Sequence, residues 1–218
     1  MRRIAASAQI LVFTLVFLIL TALTALVAAA EPAQPPARSR TAHVERAARM
    51  TLAQKLAQAR TDQEWLEMYM IHFANRSPQY PPNKRLKKKA PELSETLRAY
   101  ARGYAIPYQV AAVVMRCESG FQESIQGRKD ARDFGLYQVN RRIHRKLLAD
   151  LDLETAEGQI EAGLRVLEQG YQLCGSWRGA IAFYSAGLCH VPQGHRKASN
   201  VKHRYVLLSR AGYPIDKM

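Results

Sequence analysis

Apolar residues recur at helical spacing along most of the chain. The clearest case begins at Val110 and continues with Val113, Val114 and Cys117, which are the i, i+3, i+4 and i+7 positions of one helix face. No segment alternates apolar and polar residues over a convincing length. The pattern therefore predicts a mainly α protein. Helices are expected over residues 41–60, from 62 to before 78, 93–102, 107–118, 155–169, 177–184 and 200–210. A partly helical segment is expected over 141–151.

Capping residues support several of these boundaries. Thr61 and Glu64 have the spacing of a capping box, which predicts a helix start at this point. Pro107 is suited to the first turn of a helix, and Gly103 is suited to ending the helix before it. Gly187 ends the short apolar helix that begins at Trp177. The segments 122–132 and 188–199 are polar and are expected to be loops.

The N-terminus has the pattern of an export signal. Arg2 and Arg3 precede an uncharged run over residues 4–30, which ends in the small residues Ala28, Ala29 and Ala30. The run is also long enough to span a bilayer, so an uncleaved inner-membrane anchor is the alternative to a cleaved signal peptide. In both cases, we expect the globular part to be exported to the periplasm.

The chain divides into three parts by composition. Residues 1–30 are the signal peptide or anchor. Residues 31–90 contain a tether rich in Pro and Ala over 31–40, a short helical extension and a basic run over 83–89, which we interpret as a solvated linker. Residues 91–218 form the main domain.

The charge balance predicts an anionic partner. The chain has 32 Lys and Arg against 18 Asp and Glu, and its formal net charge of +14 falls to +12 without Arg2 and Arg3. Nucleic acid, anionic lipid and an acidic cell-wall polymer would all fit. Export argues against nucleic acid, and no recognition helix is apparent. The Cys and His residues lack metal-ligand spacing, so neither a metal nor a cofactor is expected.

The three cysteines have different expected roles. Cys174 and Cys189 flank one short segment and are the preferred disulfide pair in an oxidising compartment. Cys117 lies on the apolar side of its helix and is expected to pack as a small hydrophobic residue.

Glu118 is the candidate catalytic residue. It ends the apolar helix that begins after Pro107, has aromatic residues on both sides and is followed by a polar loop. Burial disfavours the charged form of a carboxyl group, and a carboxyl group in such surroundings is suited to act as a general acid near neutral pH. The sequence alone leaves open whether Glu118 performs chemistry or only ends a helix.

Three short motifs in order resemble those of lytic transglycosylases with a soluble-transglycosylase-like domain. The first is Tyr104-Ala105-Ile106-Pro107 with Glu118-Ser119-Gly120-Phe121, the second is Gly135-Leu136-Tyr137-Gln138-Val139-Asn140, and the third is Phe183-Tyr184-Ser185-Ala186-Gly187 after the lead-in Gly175-Ser176-Trp177. The resemblance covers residues 93–213 and implies a lysozyme-like helical domain of the goose-type or soluble lytic transglycosylase kind. Arg132-Asp133-Phe134 is similar to small muramidases attached to secretion, pilus and conjugation machines.

The resemblance implies a peptidoglycan substrate and one catalytic carboxylate. Members of this family cleave the β-1,4 bond between N-acetylmuramic acid and N-acetylglucosamine. Glu118 would first protonate the glycosidic oxygen, while the acetamido group of the substrate stabilises the cationic sugar. Glu118 would then accept the proton of the C6 hydroxyl group, so that a 1,6-anhydro ring closes.

Tyr184 and Ser185 occupy positions of the third motif. The resemblance implies that the hydroxyl group of Tyr184 lies near the acid and the acetamido group. Ser185 stands where the family usually has Asn, and Phe183 where it usually has Ala. These differences affect the expected sugar contacts and leave the acid in place.

Three further residues have two interpretations each. Ser119 either contacts the substrate or ends its helix. Gln138 either donates hydrogen bonds to the sugar or holds the loop after Glu118. Tyr137, where the family often has Met, either faces a saccharide ring or packs in the core.

Two rival functions remain open. A hydrolysing muramidase would need a second carboxylate to activate water, and Asp130 and Asp133 are the candidates. Their other interpretation is solvation or a hydrogen bond that ties the loop. The second rival is a non-catalytic peptidoglycan-binding scaffold that docks a transport apparatus, in which Glu118 is structural.

Overall fold

The computed structural model describes residues 54, 56–73, 85–125 and 132–214. The chain divides into two compact units, Met1–Arg49 and Met50–Met218, and every described residue belongs to the second. The predicted export segment, the tether and most of the predicted helix over 41–60 lie outside the described residues. None of the described helices is long and apolar enough to cross a membrane.

The described part of the chain is mainly helical, as predicted. It contains six helices and one two-stranded antiparallel hairpin. The helices are α1 (Asp62–Phe73), α2 (Leu86–Gly103), α3 (Tyr108–Ser119), α4 (Ala156–Cys174), α5 (Trp177–Ala186) and α6 (Ala198–Arg210), and the strands are β1 (Asp133–Phe134) and β2 (Val139–Asn140). The hairpin was not predicted, because two residues per strand are too few to show an alternating pattern.

The central element of the core is α3. Every residue from Val110 to Met115 is fully buried, and α1, α2 and α6 pack around the helix. A helix that is apolar all round belongs inside a domain. It begins after Pro107 and ends at Gly120, whose φ of 60° is left-handed and whose N–H donates to the carbonyl of Arg116. The predicted bounds of this helix are therefore correct to within one residue.

Helix α1 belongs to the same core as α3. Thr61 caps it as predicted, because its Oγ1 accepts a hydrogen bond from the N–H of Glu64 at 3.1 Å. The Trp65 ring stacks on Tyr69 at 5.0 Å and meets Tyr108 of α3 edge-on at 5.2 Å. The helical extension was expected to precede a main domain starting at residue 91, but the compact unit runs from residue 50 to 218.

Part of the basic run is helical. Helix α2 begins at Leu86, so Lys87, Lys88 and Lys89 form its exposed first turn and are not a linker. Lys89 pairs with Glu123 at 2.8 Å. The linker interpretation is therefore wrong for residues 86–89.

The hairpin packs closely against α4. Asp133 pairs with Asn140 and Phe134 with Val139, and the turn between the strands includes Gly135. A Cβ atom on Gly163 of α4 would overlap the ring of Tyr137 in the turn. The absence of a side chain at Gly163 therefore permits the close approach of the Tyr137 ring.

A disulfide bond joins Cys174 at the end of α4 to Cys189 in the loop after α5, as predicted. Cys117 is half-buried and does not take part in a disulfide bond. Burial raises the pKa of this thiol, which keeps it protonated.

Gly163→Ala should destabilise the fold, because the added methyl group must displace the buried Tyr137 ring. We expect the free energy of unfolding to fall by about 1–3 kcal/mol, as for other overpacked cores. Urea denaturation followed by circular dichroism measures it.

Gly103→Ala is the matched control. Gly103 is also helical, and no atom lies near the position of an added Cβ. We expect this variant to be neutral or more stable by up to about 1 kcal/mol. Equal stability of the two variants would contradict the close contact at Gly163.

Candidate active site

Glu118 lies on a cleft of about 450 Å³. The cleft is formed by the end of α3, the hairpin and the segment after it, the end of α5 and the loop before α6, together with Val166 of α4 and Arg204 in the middle of α6. It brings four of the six predicted site residues together, namely Glu118, Gln138, Tyr184 and Ser185. The other two, Ser119 and Tyr137, do not line it.

An ion pair with Arg204 holds the Glu118 side chain. Nη2 of Arg204 donates to Oε1 of Glu118 at 2.8 Å, and the two side chains are 8% and 20% exposed. Burial works to lower the pKa of the Arg204 guanidinium, and the adjacent Glu118 carboxylate raises it above its ordinary value. Each charge is therefore stabilised mainly by the other, because little water reaches either of them.

Sequence reasoning missed Arg204, although α6 carries a signal for it. Arg204 follows Val201 by three residues and precedes Leu207 and Leu208 by three and four, and all four are buried. A cation on the apolar face of a helix needs a buried carboxylate partner. The sequence does not say which carboxylate it is, because Glu118 lies 86 residues away.

Tyr184 lies on the cleft with its hydroxyl group bound to the backbone. The hydroxyl donates to the carbonyl oxygen of Tyr137 at 2.7 Å. Burial raises the pKa of Tyr184 well above its ordinary value, and the negative charge of Glu118 raises it further. The phenol is therefore a neutral hydrogen-bonding group near the candidate acid.

Gln138 ties the hairpin turn to the loop that follows Glu118. Its Nε2 donates to the carbonyl oxygens of Ile125 at 2.8 Å and Gly135 at 3.0 Å. The N–H of Gly135 also donates to the carbonyl of Ile125 at 3.0 Å. Of its two predicted roles, the structure shows the one that holds the loop, while the residue also lines the cleft.

Ser119 and Tyr137 are core residues. Both are fully buried. The Ser119 hydroxyl donates to the carbonyl of Met115 at 3.2 Å, and the Tyr137 hydroxyl donates to the carbonyl of Ala111 at 3.0 Å. The structure thus corrects their assignment as substrate-binding residues in favour of the alternatives, a helix end for Ser119 and core packing for Tyr137.

Ser185 and Asp133 present two further polar groups at the cleft. The Oγ of Ser185 is buried and has no hydrogen-bond partner in the described part of the chain. Asp133 accepts a hydrogen bond at 2.7 Å from Nδ2 of Asn140, which ties the two strands together. Asp130, the other candidate for a second carboxylate, lies outside the described residues.

Basic residues also line the cleft. Arg196 and Lys197 line it from the loop before α6, and His144 lines it from the segment after the hairpin. Burial lowers the pKa of His144, which favours its neutral form. Within the described ranges, no group of three or more His, Cys, Asp or Glu residues could hold a metal ion.

The family match agrees with the fold and the motifs. The model of the Transglycosylase SLT domain matches residues 95–207, which is just over half of the chain and runs from α2 into α6. The chain belongs to this family. Its lysozyme-like helical fold is thereby confirmed, and membership supports lytic transglycosylase activity on peptidoglycan in general. No curated protein matches the chain.

Glu118→Ala should destabilise the protein more than Glu118→Gln. A glutamine can still accept the hydrogen bond from Arg204, whereas alanine leaves a buried guanidinium without a partner. We expect losses in the free energy of unfolding of about 1–2 kcal/mol for glutamine and about 3 kcal/mol for alanine. Urea denaturation at pH 7 measures both. Losses near zero for both variants would show that the ion pair contributes little to folding.

Proposed function

We propose that the protein is a lytic transglycosylase that cleaves the N-acetylmuramic acid–β-1,4–N-acetylglucosamine bond and leaves a 1,6-anhydro-muramic end. The observation that carries this proposal is the position of Glu118. It stands at the end of the central helix, on a cleft that it shares with Tyr184, within a domain of the Transglycosylase SLT family.

Glu118 acts first as an acid. Its carboxyl proton moves to the glycosidic oxygen as the bond to C1 breaks, and the substrate's acetamido oxygen stabilises the positive charge at C1. Proton loss leaves a carboxylate 2.8 Å from the guanidinium of Arg204, which stabilises the new negative charge. Arg204 thereby favours the state that the first step produces.

Glu118 acts second as a base. Its carboxylate accepts the proton of the C6 hydroxyl group, and the oxygen of that group bonds to C1. The ring closes and the carboxyl group is restored, so one residue completes the cycle. Tyr184 and Ser185 line the same cleft and, in this proposal, contact the sugar.

We place this activity in the periplasm. The support is the export pattern over residues 1–30, with residues 4–30 acting as an inner-membrane anchor if they are not cleaved. The similarity of Arg132-Asp133-Phe134 to small machine-associated muramidases supports a role in opening the wall for a secretion, pilus or conjugation apparatus. In this arrangement, residues 31–40 form the tether that the sequence predicts.

A hydrolysing muramidase is the second candidate, and one observation favours it. Asp133 lines the same cleft as Glu118 and so provides a second carboxylate. Hydrolysis requires such a group to activate water or to stabilise the cationic sugar. The hydrogen bond from Asn140 is the opposing observation, because it gives Asp133 a structural role.

Glu118→Gln in the full chain should lower the rate of glycan cleavage by a factor of about 10²–10⁴, because the variant has no proton to donate. Digestion of purified sacculi, followed by mass spectrometry of the soluble muropeptides, measures both rate and product. The wild type should release anhydro-muramic ends.

Glu123→Gln is the matched control, since Glu123 lies in the loop after Glu118 and pairs with Lys89 away from the cleft. Its rate should stay within a factor of two or so of the wild type, as for most surface changes. If Glu118→Gln were as active as this control, a non-catalytic scaffold would replace the enzyme proposal.

Asp133→Asn separates the two candidate reactions. The amide oxygen of an asparagine can still accept the hydrogen bond from Asn140, so the hairpin should persist. Under transglycosylation, anhydro products should continue at a rate within about tenfold of the wild type. Under hydrolysis, the wild type should yield reducing ends, and the variant should be slower by a factor of about 10² or more.

A further inference from the structure

A second cavity lies beside the cleft and shares no lining residue with it. Its volume is about 710 Å³, against about 450 Å³ for the cleft. One loop, residues 187–197, borders both of them. Gly187, Arg196 and Lys197 line the cleft, and Cys189 and Gln193 line the cavity. The same loop therefore forms part of the wall of both spaces.

Among the described residues, those that line the second cavity include basic ones and no acidic one. Arg178, His190 and Lys202 contribute to its walls. None of the three has an ion-pair partner within the described ranges. By contrast, Arg165 and Arg204 pair with carboxylates elsewhere in the domain. Arg178 and Lys202 are charged groups without a counter-charge around a concave surface, and such groups attract anionic ones.

The cavity is also held in shape. The guanidinium of Arg178 lies over the ring of Tyr205 at 4.6 Å, and the Tyr205 hydroxyl donates to the carbonyl of Arg178 at 2.9 Å. The disulfide bond fixes Cys189 to the end of α4. A binding site that is already formed loses less entropy when a ligand enters.

We propose that this cavity binds the peptide stem of peptidoglycan through the carboxylate groups of the stem. The inference rests on the proposed function, because the glycan in the cleft carries its peptides on muramic acid. A peptide that crosses the loop would meet the cations of the cavity. Val191, Ala198 and Val201 add apolar surface for the methyl groups of alanine residues. The volume lies within the range of small-ligand sites, about 300–1,000 Å³.

Direct binding is the first test. The full chain with Glu118→Gln, which should not turn over substrate, is titrated by calorimetry with a soluble stem tetrapeptide and with the same peptide after amidation of its carboxylates. We expect the free-carboxylate peptide to bind and the amidated one to bind at least about tenfold more weakly. Equal binding of the two peptides, or no binding of either, would overturn the proposal.

Lys202→Glu, added to the same chain, places a negative charge at the cavity and should weaken peptide binding about tenfold. Lys88→Glu is the matched control, because Lys88 is an exposed helical lysine far from this lining set and undergoes the same change of charge. It should bind the peptide as the parent chain does. Equal weakening by both substitutions would show a general charge effect and overturn the assignment to this cavity.

A cleavage assay tests the site in the active chain. The rate on stem-bearing glycan is divided by the rate on glycan from which an amidase has removed the stems. Lys202→Glu should lower this ratio about tenfold, and Lys88→Glu should leave it unchanged. An unchanged ratio in both variants would overturn the peptide site while leaving the proposed function intact. Absence of cleavage on both glycans would overturn the proposed function, and the calorimetry would still decide the peptide site.

Two further probes distinguish the peptide from other anions. Inorganic phosphate and phosphatidylglycerol vesicles are titrated into the same variants. We expect Lys202→Glu to leave the binding of phosphate and of the vesicles unchanged. The proposal would be wrong if the stem peptide did not bind and Lys202→Glu abolished the binding of phosphate or of the vesicles. The cavity would then be a phosphate site or a membrane site.

Discussion

The buried ion pair between Glu118 and Arg204 is the contact on which the cleft depends. It joins the end of the central helix α3 to α6, the last helix of the described residues, and places two charges where little water can reach them. Burying two charges costs desolvation free energy, and removing one partner leaves the other charge buried and unpaired. Such a pair therefore fixes one arrangement of the two side chains more than it adds to the stability of the fold. Here that arrangement points the candidate acid at the cleft.

A chain of hydrogen bonds supports the same side of the cleft. Tyr184 of α5 donates to the carbonyl of Tyr137, and Tyr137 donates in turn to the carbonyl of Ala111 in α3. Three elements distant in sequence are thus joined through two buried phenols. The close approach of Tyr137 to α4 at Gly163 completes the packing. The carboxylate of the candidate acid is therefore positioned from the core as well as by its own helix.

Local features of the sequence were sufficient to predict most helices. The apolar spacing after Pro107 and the glycine at 120 indicated the bounds of α3. The short segment between Cys174 and Cys189 indicated that these two cysteines pair. The first turn of α2 was missed because a run of lysines indicates solvation without indicating conformation. The sequence could not identify the partner of Arg204 or choose between the two interpretations of Tyr137, because the contacting residues lie 86 and 26 residues away and only tertiary packing selects them.

The disulfide bond has a consequence for both cavities at once. The loop after α5 borders both the cleft and the second cavity. The Cys174–Cys189 disulfide bond attaches this loop to the end of α4. Thiols remain reduced in the cytosol and are oxidised outside it. The conformation of this loop therefore depends on the redox state of the compartment as well as on the sequence. In a chain whose cysteines are still reduced, the loop that borders both cavities is not held by the disulfide bond.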